Sequence, residues 1–296
     1  MGTRCLLILA SVIGLSTAKE VEQELAAHFR ATGLGIVINE GDRVRVIPVD
    51  GSKSNLWYGK PALATTFLAL PSGRGLMWAV PLRLFPDRGF YTDLLLQSVL
   101  PASNKTFRLG YAVDLLAISE KLPRKIAYIR NWTEFVYGSL TNDTPTVITG
   151  TSNPASAGWS PDGRRLVFSR AGTVRVLDTS SGKIIDVAQG DDPTWSPDGR
   201  WLIYRKSASA YLFDLSMAME RQFLSGRVIA PLPLRWSPDS AYVAYVEQVN
   251  RGGSWTLSVA RILDGERVSI LTFSPEIGYL RNWGWVEHAL AFVTRR

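Results

Sequence analysis

The side chains that most often carry chemistry at neutral pH are scarce in this sequence. Its 296 residues include two histidines, His28 and His288, and one cysteine, Cys5. A zinc site or a histidine-dependent catalytic triad needs more such groups than the chain offers. We therefore interpret both histidines as surface or structural groups. The sequence predicts neither a metal site nor a cofactor.

Carboxylates can catalyse hydrolysis without histidine, as the paired acids of glycoside hydrolases do. The clearest acidic pair is Asp191-Asp192, which precedes Trp195. Asp-Asp-Pro is also typical of turns ahead of strands, and no partner acid can be placed opposite the pair. A calcium site would need further oxygen ligands at regular spacing. We therefore predict no catalytic residue.

The elements that would position any site follow from an internal repeat. Trp-Ser-Pro-Asp begins at Trp159, Trp195 and Trp236, at intervals of 36 and 41 residues. Seven to nine residues after each Trp stands an unbroken apolar triplet, at 166–168, 202–204 and 243–245. Such a triplet indicates a strand that is covered on both faces. The repeat length and this pattern predict the four-stranded blades of a β-propeller.

The Pro-Asp-Gly element of the repeat has the chemistry of a hairpin turn. Proline presets φ, the Asp side chain bonds nearby backbone, and Gly accepts positive φ. Ser240 replaces this Gly in the third copy, so a slightly strained or a different turn is expected there. The tryptophans and turn residues are predicted to be structural: Trp159, Asp162, Gly163, Trp195, Asp198, Gly199, Trp236, Asp239 and Trp283.

Weaker copies extend the repeat in both directions. Units that begin near positions 84, 118, 159, 195, 236 and 283 predict six blades, and seven is the alternative. The segment 36–47 aligns without a gap with 166–177, as the second and third strands of a blade would. We therefore predict an all-β fold, a single β-propeller whose ring is closed by N- and C-terminal strands.

The N-terminus has the pattern of a secretory signal. Arg4 is followed by the apolar stretch 5–15 and by small residues that end at Ala18, so residues 1–18 are predicted to be cleaved. An uncleaved anchor is the alternative, and both place the domain outside the cytoplasm. Residues 19–33 are predicted to form a lead-in helix, and 34–296 the propeller. After cleavage we expect no transmembrane span, and no disulfide because Cys5 leaves with the signal.

The unit Trp-Ser-Pro-Asp-Gly-Arg-x-Leu-hydrophobic-Phe/Tyr resembles the TolB-like, WD-like repeat of bacterial propellers. This resemblance is specific over 159–226 and weaker elsewhere. It implies a periplasmic or secreted propeller of the cell envelope, of a kind usually used for binding. TolB proteins carry an α/β domain before the propeller, and peptidase relatives carry a hydrolase domain after it. Neither is expected here, and the Gly-x-Ser-x-Gly nucleophile motif does not occur, so only the fold is transferred.

Blade topology predicts which residues face a ligand. The Pro-Asp-Gly turns share one face of the disc, whereas residues before each Trp and the loops between second and third strands share the other. Binding sites favour variable loops on a rigid scaffold. The predicted binding residues on this second face are Asp191, Asp192, Arg235, Arg281, Asn282, Arg170, Lys206 and Arg251.

The net charge of +7 mildly favours anionic partners, but no Lys/Arg-rich run points to nucleic acid. Our leading hypothesis is a non-catalytic binding or scaffold module for an envelope protein or glycan, either monomeric or part of a larger envelope complex. The first alternative is a carbohydrate-active enzyme with carboxylates near the central channel. The second is a structural subunit, for which a broad exposed apolar patch would be the sign.

Overall fold

The computed structural model of the chain describes most of its central part. The description covers residues 18–39, 44–48, 56–58, 66–85, 89–99, 102–111, 114–131, 133–140, 145–149, 154, 156–225, 228–229, 234–248, 253–273 and 283–287. No helix within these residues is long and apolar enough to cross a bilayer.

One helix precedes a series of short strands, as the repeat predicts. In chain order the elements are α1 (Ala18–Thr32), β1 (Leu34–Asn39), β2 (Val44–Pro48), β3 (Leu56–Tyr58), β4 (Thr66–Ala69), β5 (Gly75–Phe85), β6 (Gly89–Val99), β7 (Ala102–Tyr111), β8 (Asp114–Ile118), β9 (Lys125–Arg130), β10 (Glu134–Ser139), β11 (Thr146–Val147), β12 (Ala157–Trp159), β13 (Arg165–Arg170), β14 (Thr173–Asp178), β15 (Ile184–Gln189), β16 (Asp191–Trp195), β17 (Trp201–Lys206), β18 (Ser209–Asp214), β19 (Met219–Leu224), β20 (Val228–Ile229), β21 (Arg235–Trp236), β22 (Tyr242–Gln248), β23 (Trp255–Arg261), β24 (Arg267–Phe273) and β25 (Trp283–Glu287).

These strands pair antiparallel into six sheets. Sheets one to four contain β4–β7, β8–β11, β12–β15 and β16–β19, each in sequence order. Sheet five contains β22–β24, and both β20 and β21 pair with β22. Sheet six has the order β25-β1-β2-β3, so it joins strands from the two ends of the described chain.

The apolar triplets are buried because each sheet is covered on both faces. In the triplet of β13, Leu166 and Phe168 pack against side chains of sheet two, among them Phe135. Val167, between them, packs against sheet four, where Trp195 and Leu202 belong to the same cluster. Alternation along a strand sends adjacent side chains to opposite faces, so an unbroken apolar run is what a sandwiched sheet requires.

The turns after the repeated tryptophans have the same pattern of hydrogen bonds. In the first, Ser160 Oγ donates to Asp162 Oδ1 at 2.5 Å and accepts from the Arg165 amide at 2.9 Å. Asp162 Oδ1 also accepts from the Arg164 amide at 3.0 Å, and Gly163 has a φ of +66°. Ser196-Asp198 and Ser237-Asp239 repeat these bonds. The predicted hairpin turn is therefore closed by its Ser as well as by its Asp.

The third turn has the strain that its sequence predicts. Ser240 has a φ of +62°, where its two counterparts are glycines. Its hydroxyl accepts a hydrogen bond of 3.0 Å from the Asp198 amide of the neighbouring turn. This bond between adjacent sheets offsets part of the cost of the left-handed conformation.

Helix α1 packs beside sheets five and six, over the stretch for which a lead-in helix is predicted. Phe29 is fully buried and stacks on Trp285 with ring centroids 5.3 Å apart. His28 Nε2 lies 2.8 Å from Asp239 Oδ2, at the third turn, and Arg261 forms an ion pair with Glu24. The helix is thus attached by one buried ring and two polar contacts.

Two predicted repeat positions need correction. The unit predicted to begin near position 84 does not begin with a first strand there, because Leu84 lies in β5, the second strand of sheet one. The first strand is β4, which ends at Ala69 and is followed by Pro71-Ser72-Gly73. Ala69 pairs with Leu76 as Trp159 pairs with Leu166, so alanine replaces the tryptophan here.

The last repeat tryptophan is Trp285, not the predicted Trp283. Trp285 pairs with Ile36, which starts the apolar run of β1, whereas Trp283 pairs with Ile38. The second strand of this sheet is therefore β1, as the alignment of 36–47 with 166–177 predicts. The apolar residues 290–292, which stand seven to nine residues after Trp283, lie outside the described residues.

Candidate functional site

The first strands of the six sheets surround one cavity of about 110 Å3. β4, β8, β12, β16, β21 and β25 all contribute to its wall, and Pro71 and Pro197 add to it from two turns. β25 and β4 approach each other closely at Gly284 and Ala69. A Cβ added to Gly284 would lie 2.6 Å from the Ala69 Cβ. We call this space the axial cavity.

The sheets present two different ends around the axial cavity. On the turn face lie the repeated turns 161–163, 197–199 and 238–240, together with the turns between third and fourth strands. On the loop face lie the hairpins 171–172 and 207–208 and the connection into β16. Backbone bonds tie neighbouring segments on each face, such as Gly190 N to Gly172 O at 2.7 Å and Thr179 N to Arg164 O at 2.9 Å.

Polar groups on the turn face bond mainly to their own turns. The carboxylates of Asp162, Asp198 and Asp239 all accept local hydrogen bonds. Partial burial by itself would raise the pKa of Asp162. The local hydrogen bonds and the nearby arginines together outweigh burial and hold this pKa below its usual range. These aspartates therefore stabilise turns, as the sequence predicts.

Asp192 is the centre of an ion pair on the loop face. Its Oδ2 accepts from Arg205 at 2.8 Å and 3.1 Å, and its amide donates to Ser169 Oγ at 3.4 Å. Asp192 is buried and has a φ of +54°. The preceding Gly190 has a φ of +152°, and a Cβ there would lie 2.6 Å from the Tyr204 ring. Local backbone geometry and a charged partner thus fix the position of this carboxylate.

Arg235 lines the axial cavity beside that ion pair. Its Nε is buried and has no hydrogen-bond partner among the described residues. Burial lowers the pKa of Arg235 to about 10, against the opposing influence of the Asp192 carboxylate. Its backbone oxygen accepts a 2.9 Å bond from the Trp285 indole. The side chain remains cationic at neutral pH and is the one charged residue among the described residues of the cavity wall.

The remaining predicted residues are distributed differently. Asp191 and Arg170 are half-buried, and their side chains have no hydrogen-bond or ion-pair partner in the described part of the chain. Lys206 forms an ion pair with Glu220 at 2.7 Å and lies 4.7 Å from the Tyr211 ring, so it is directed along its own sheet. Three predicted binding residues lie outside the described residues: Arg251, Arg281 and Asn282.

The structure adds groups that the sequence analysis did not identify. Arg205 neutralises Asp192, yet nothing in the repeat distinguishes it from other charged residues at the end of a second strand. Four tryptophans of the cavity wall have buried indole nitrogens that donate no hydrogen bond to a described residue: Trp159, Trp195, Trp236 and Trp283. No Asp or Glu is among the described residues of that wall.

Of the two histidines, only His28 lies within the described residues. His28 contacts the third turn on the turn face, and its ring lies 4.9 Å from the ring of Tyr242. His288 lies outside the described residues. Within the described ranges, no three His, Cys, Asp or Glu side chains are grouped closely enough to hold a metal ion.

Radially arranged four-stranded sheets, packed face to face around an axial cavity, define a β-propeller. The predicted all-β propeller is therefore confirmed. No family model matches the chain, and no curated protein matches it by sequence.

Solved structures show which propeller it is similar to. TolB from Acinetobacter baumannii matches with a TM-score of 0.61 and 15% identity, over 88% of this chain and 70% of that one. A putative TolB from Agrobacterium tumefaciens matches with a TM-score of 0.57 and 17% identity, over 81% and 89%. The chain has the TolB-like β-propeller fold that its repeat resembles.

Proposed function

We propose that this chain is a non-catalytic module that binds an envelope protein through its loop face, with an envelope glycan as the second ligand class. One observation carries the proposal: two half-buried charged side chains on that face, held by rigid strands, have no partner among the described residues. Asp191 and Arg170 lack partners in the described part of the chain, and so does the Nε of Arg235 at the cavity wall. The repeated aspartates of the turn face, in contrast, accept hydrogen bonds within their own turns. Unpaired polar groups held on a rigid scaffold favour recognition.

We also propose that the six sheets are the six blades of one ring, which the pairing of β25 with β1 closes. Each adjacent pair of sheets has contacts that support this arrangement. Sheets two to six share apolar clusters in succession. Ser72 of sheet one donates to Glu120 of sheet two, and Gly284 of sheet six meets Ala69 of sheet one. A closed ring gives the loop face fixed geometry and protects the sheets from edge pairing.

The absence of carboxylates from the described cavity wall bears on the enzymatic alternative. A carbohydrate-active propeller needs two acids at a defined separation across the reaction centre. Asp192, a buried acid close enough to influence Arg235, is already neutralised by Arg205 at 2.8 Å. No observation therefore favours catalysis over binding.

Export to the envelope is part of the same proposal. Its support is the signal-like pattern of residues 1–18, which lie largely outside the described residues, and the TolB-like fold. Mass spectrometry of the protein from its native host tests this step, because cleavage as proposed leaves Lys19 as the first residue. A cytoplasmic, unprocessed chain contradicts it.

Site-specific photo-crosslinking in the native envelope tests the binding face. A photoreactive residue replaces Ser207 on the loop face or, as the matched control, Ser180 on the turn face; both serines are exposed. We expect one stoichiometric protein adduct from position 207, reduced at least about tenfold by Asp191→Lys, and none from position 180. The same adduct from both positions would place binding elsewhere. If neither position gives an adduct, binding of the purified chain to glycan arrays tests whether the ligand is a glycan.

A further inference from the structure

We propose that the turn face binds the surface of an anionic lipid bilayer, with exposed aliphatic side chains in the lipid interface and lysines among the headgroups. This inference goes beyond the proposed function, because it concerns the opposite face of the sheets and needs no protein partner. A chain bound in this way presents its loop face away from the bilayer, where an envelope protein can reach it.

Exposed apolar side chains are concentrated on the turn face. The four most exposed large hydrophobic side chains of the described residues are Leu263, Leu122, Met219 and Met217, and the two leucines are 85% and 75% exposed. Leu122 lies in the turn between the first two strands of sheet two, and the others lie at the turns between third and fourth strands of sheets four and five. Ile184, at the same end of β15, adds sheet three. A single exposed leucine is ordinary, but four consecutive sheets that each expose one at the same end are not.

The turns that carry these side chains are fixed to their sheets. In sheet four, the Leu215 amide donates to the Arg200 oxygen at 3.1 Å, which ties the outer turn to the inner one. Asp214 Oδ1 accepts a hydrogen bond of 3.2 Å from the Met217 amide within the outer turn. A turn held in this way does not fold its apolar side chain back onto the protein. Burial of these side chains therefore requires an apolar phase outside the chain.

The charges beside the exposed aliphatic residues are cationic and available. Lys121 directly precedes Leu122, and Lys183 directly precedes Ile184. Both lysines are exposed, and neither ammonium group forms a hydrogen bond or ion pair with a described residue. Carboxylates on the turns of sheets two to four, in contrast, accept hydrogen bonds from the protein: Glu120, Asp162, Asp178, Asp198 and Asp214. The turn face thus offers free positive charge to an external anion.

This combination favours a lipid surface over a protein partner. The exposed aliphatic side chains stand in separate turns among polar residues, whereas the core of a protein interface is a continuous apolar patch. A bilayer takes up separate apolar groups at the level of its headgroups, and its anionic lipids attract nearby lysines. The lysine stem itself is apolar and extends along the same boundary. The net charge of +7 acts in the same direction.

Co-sedimentation with vesicles tests the proposal on the chain purified from its native host. The probe is a vesicle of phosphatidylglycerol mixed with phosphatidylcholine, and phosphatidylcholine alone is the neutral comparison. We expect at least about tenfold stronger binding to the anionic vesicles, and loss of this difference at high salt. All variants keep the wild-type N-terminus, so any contribution of residues 1–18 is common to every comparison.

Apolar variants show whether the turn face enters the lipid. Leu122→Ser combined with Met217→Ser should weaken vesicle binding at least about tenfold, because two aliphatic side chains no longer leave water. Val147→Ser combined with Ile185→Ser is the matched control, since these residues are exposed on the outer strands β11 and β15. The control should bind vesicles as wild type does. Urea denaturation confirms that both double variants are folded.

Charge variants show whether the lysines contact the headgroups. Lys121→Gln combined with Lys183→Gln should weaken binding to the anionic vesicles by about fivefold for each lost charge and leave binding to neutral vesicles unchanged. The matched control is Arg130→Gln combined with Arg175→Gln, which lowers the net charge equally at two ion pairs within the sheets. It should retain most of the binding.

Three outcomes overturn the proposal: no vesicle binding, equal binding to both vesicle types, or losses of the same size in the turn-face variants and their controls. A protein adduct from position 180 without vesicle binding would identify the turn face as a protein interface instead. Vesicle binding needs no partner, so it is independent of the crosslink from position 207. Vesicle binding without that crosslink leaves the bilayer inference standing and counts against the loop-face proposal, and the reverse result does the opposite.

Discussion

Replacement of Asp192 by Asn isolates the charge of the loop-face ion pair. The two side chains have nearly the same shape, and Asn tolerates the left-handed conformation that Asp192 adopts at a φ of +54°. The substitution leaves the local backbone preference in place and removes the negative charge that Arg205 binds through two hydrogen bonds.

The exposure of the pair sets the size of the effect. The side chains of Asp192 and Arg205 are 9% and 18% exposed. Exposed ion pairs contribute up to about 1 kcal/mol, whereas loss of one partner from a fully buried pair costs about 3–5 kcal/mol. Asp192→Asn should therefore lower the free energy of unfolding by about 2 kcal/mol. The loss of stability is larger still, because the Asp192 carboxylate also stabilises the charged guanidinium of the buried Arg235.

Urea denaturation of a double-mutant cycle measures the interaction itself. Asp192→Asn and Arg205→Gln, alone and together, should give a coupling energy of about 1–2 kcal/mol. The control cycle uses Arg175 and Asp186, whose side chains are 27% and 65% exposed, and its coupling should stay below about 0.5 kcal/mol. Equal coupling in the two cycles would refute the reasoning, because burial would then have no influence on the strength of the pair.

Three further predictions concern the glycines, the third turn and alkaline pH. Gly190→Ala should lower the free energy of unfolding, measured by urea denaturation, by at least about 3 kcal/mol, because its Cβ would lie 2.7 Å from a backbone oxygen. Gly172→Ala, where the Cβ would meet open space, should lower it by about 1 kcal/mol. Equal losses for the two variants contradict this prediction. Ser240→Gly should be within about 0.5 kcal/mol of wild type, since relief of the positive φ offsets the lost bond from the Asp198 amide, and Ser240→Ala should lose about 1 kcal/mol; a more stable Ala variant contradicts it. Burial, and then repulsion from a nearby glutamate, raise the pKa of Tyr245 to about 12 from its ordinary value near 10. Because the folded state disfavours the phenolate, this contribution to stability is intact below pH 10 and is lost as the pH rises towards 12. Between pH 8 and about pH 11, the free energy of unfolding of Tyr245→Phe should therefore fall by roughly 1 kcal/mol less than that of wild type. Equal falls in the two proteins contradict this prediction.

The sequence by itself determined the local units of this fold. The repeated Trp-Ser-Pro-Asp turn and the apolar triplet specify a hairpin and a strand covered on both faces, because turn chemistry and strand periodicity act over fewer than ten residues. The structure confirms both at Trp159, and it confirms the strain at Ser240. Where a repeat keeps its residues, sequence reasoning therefore places its strands correctly.

Tertiary structure alone decided the positions where the repeat loses its residues and where distant segments meet. Trp285 rather than Trp283 holds the repeat position because pairing with Ile36, at the far end of the chain, sets its register. Ala69 replaces a tryptophan beside Gly284, where the close approach of two strands leaves little space. Arg205 pairs with Asp192 across β16 and β17 of one sheet, where the register shifts between Asp191 and Thr194. These outcomes depend on strand register and on contacts between distant segments, so no local pattern specifies them.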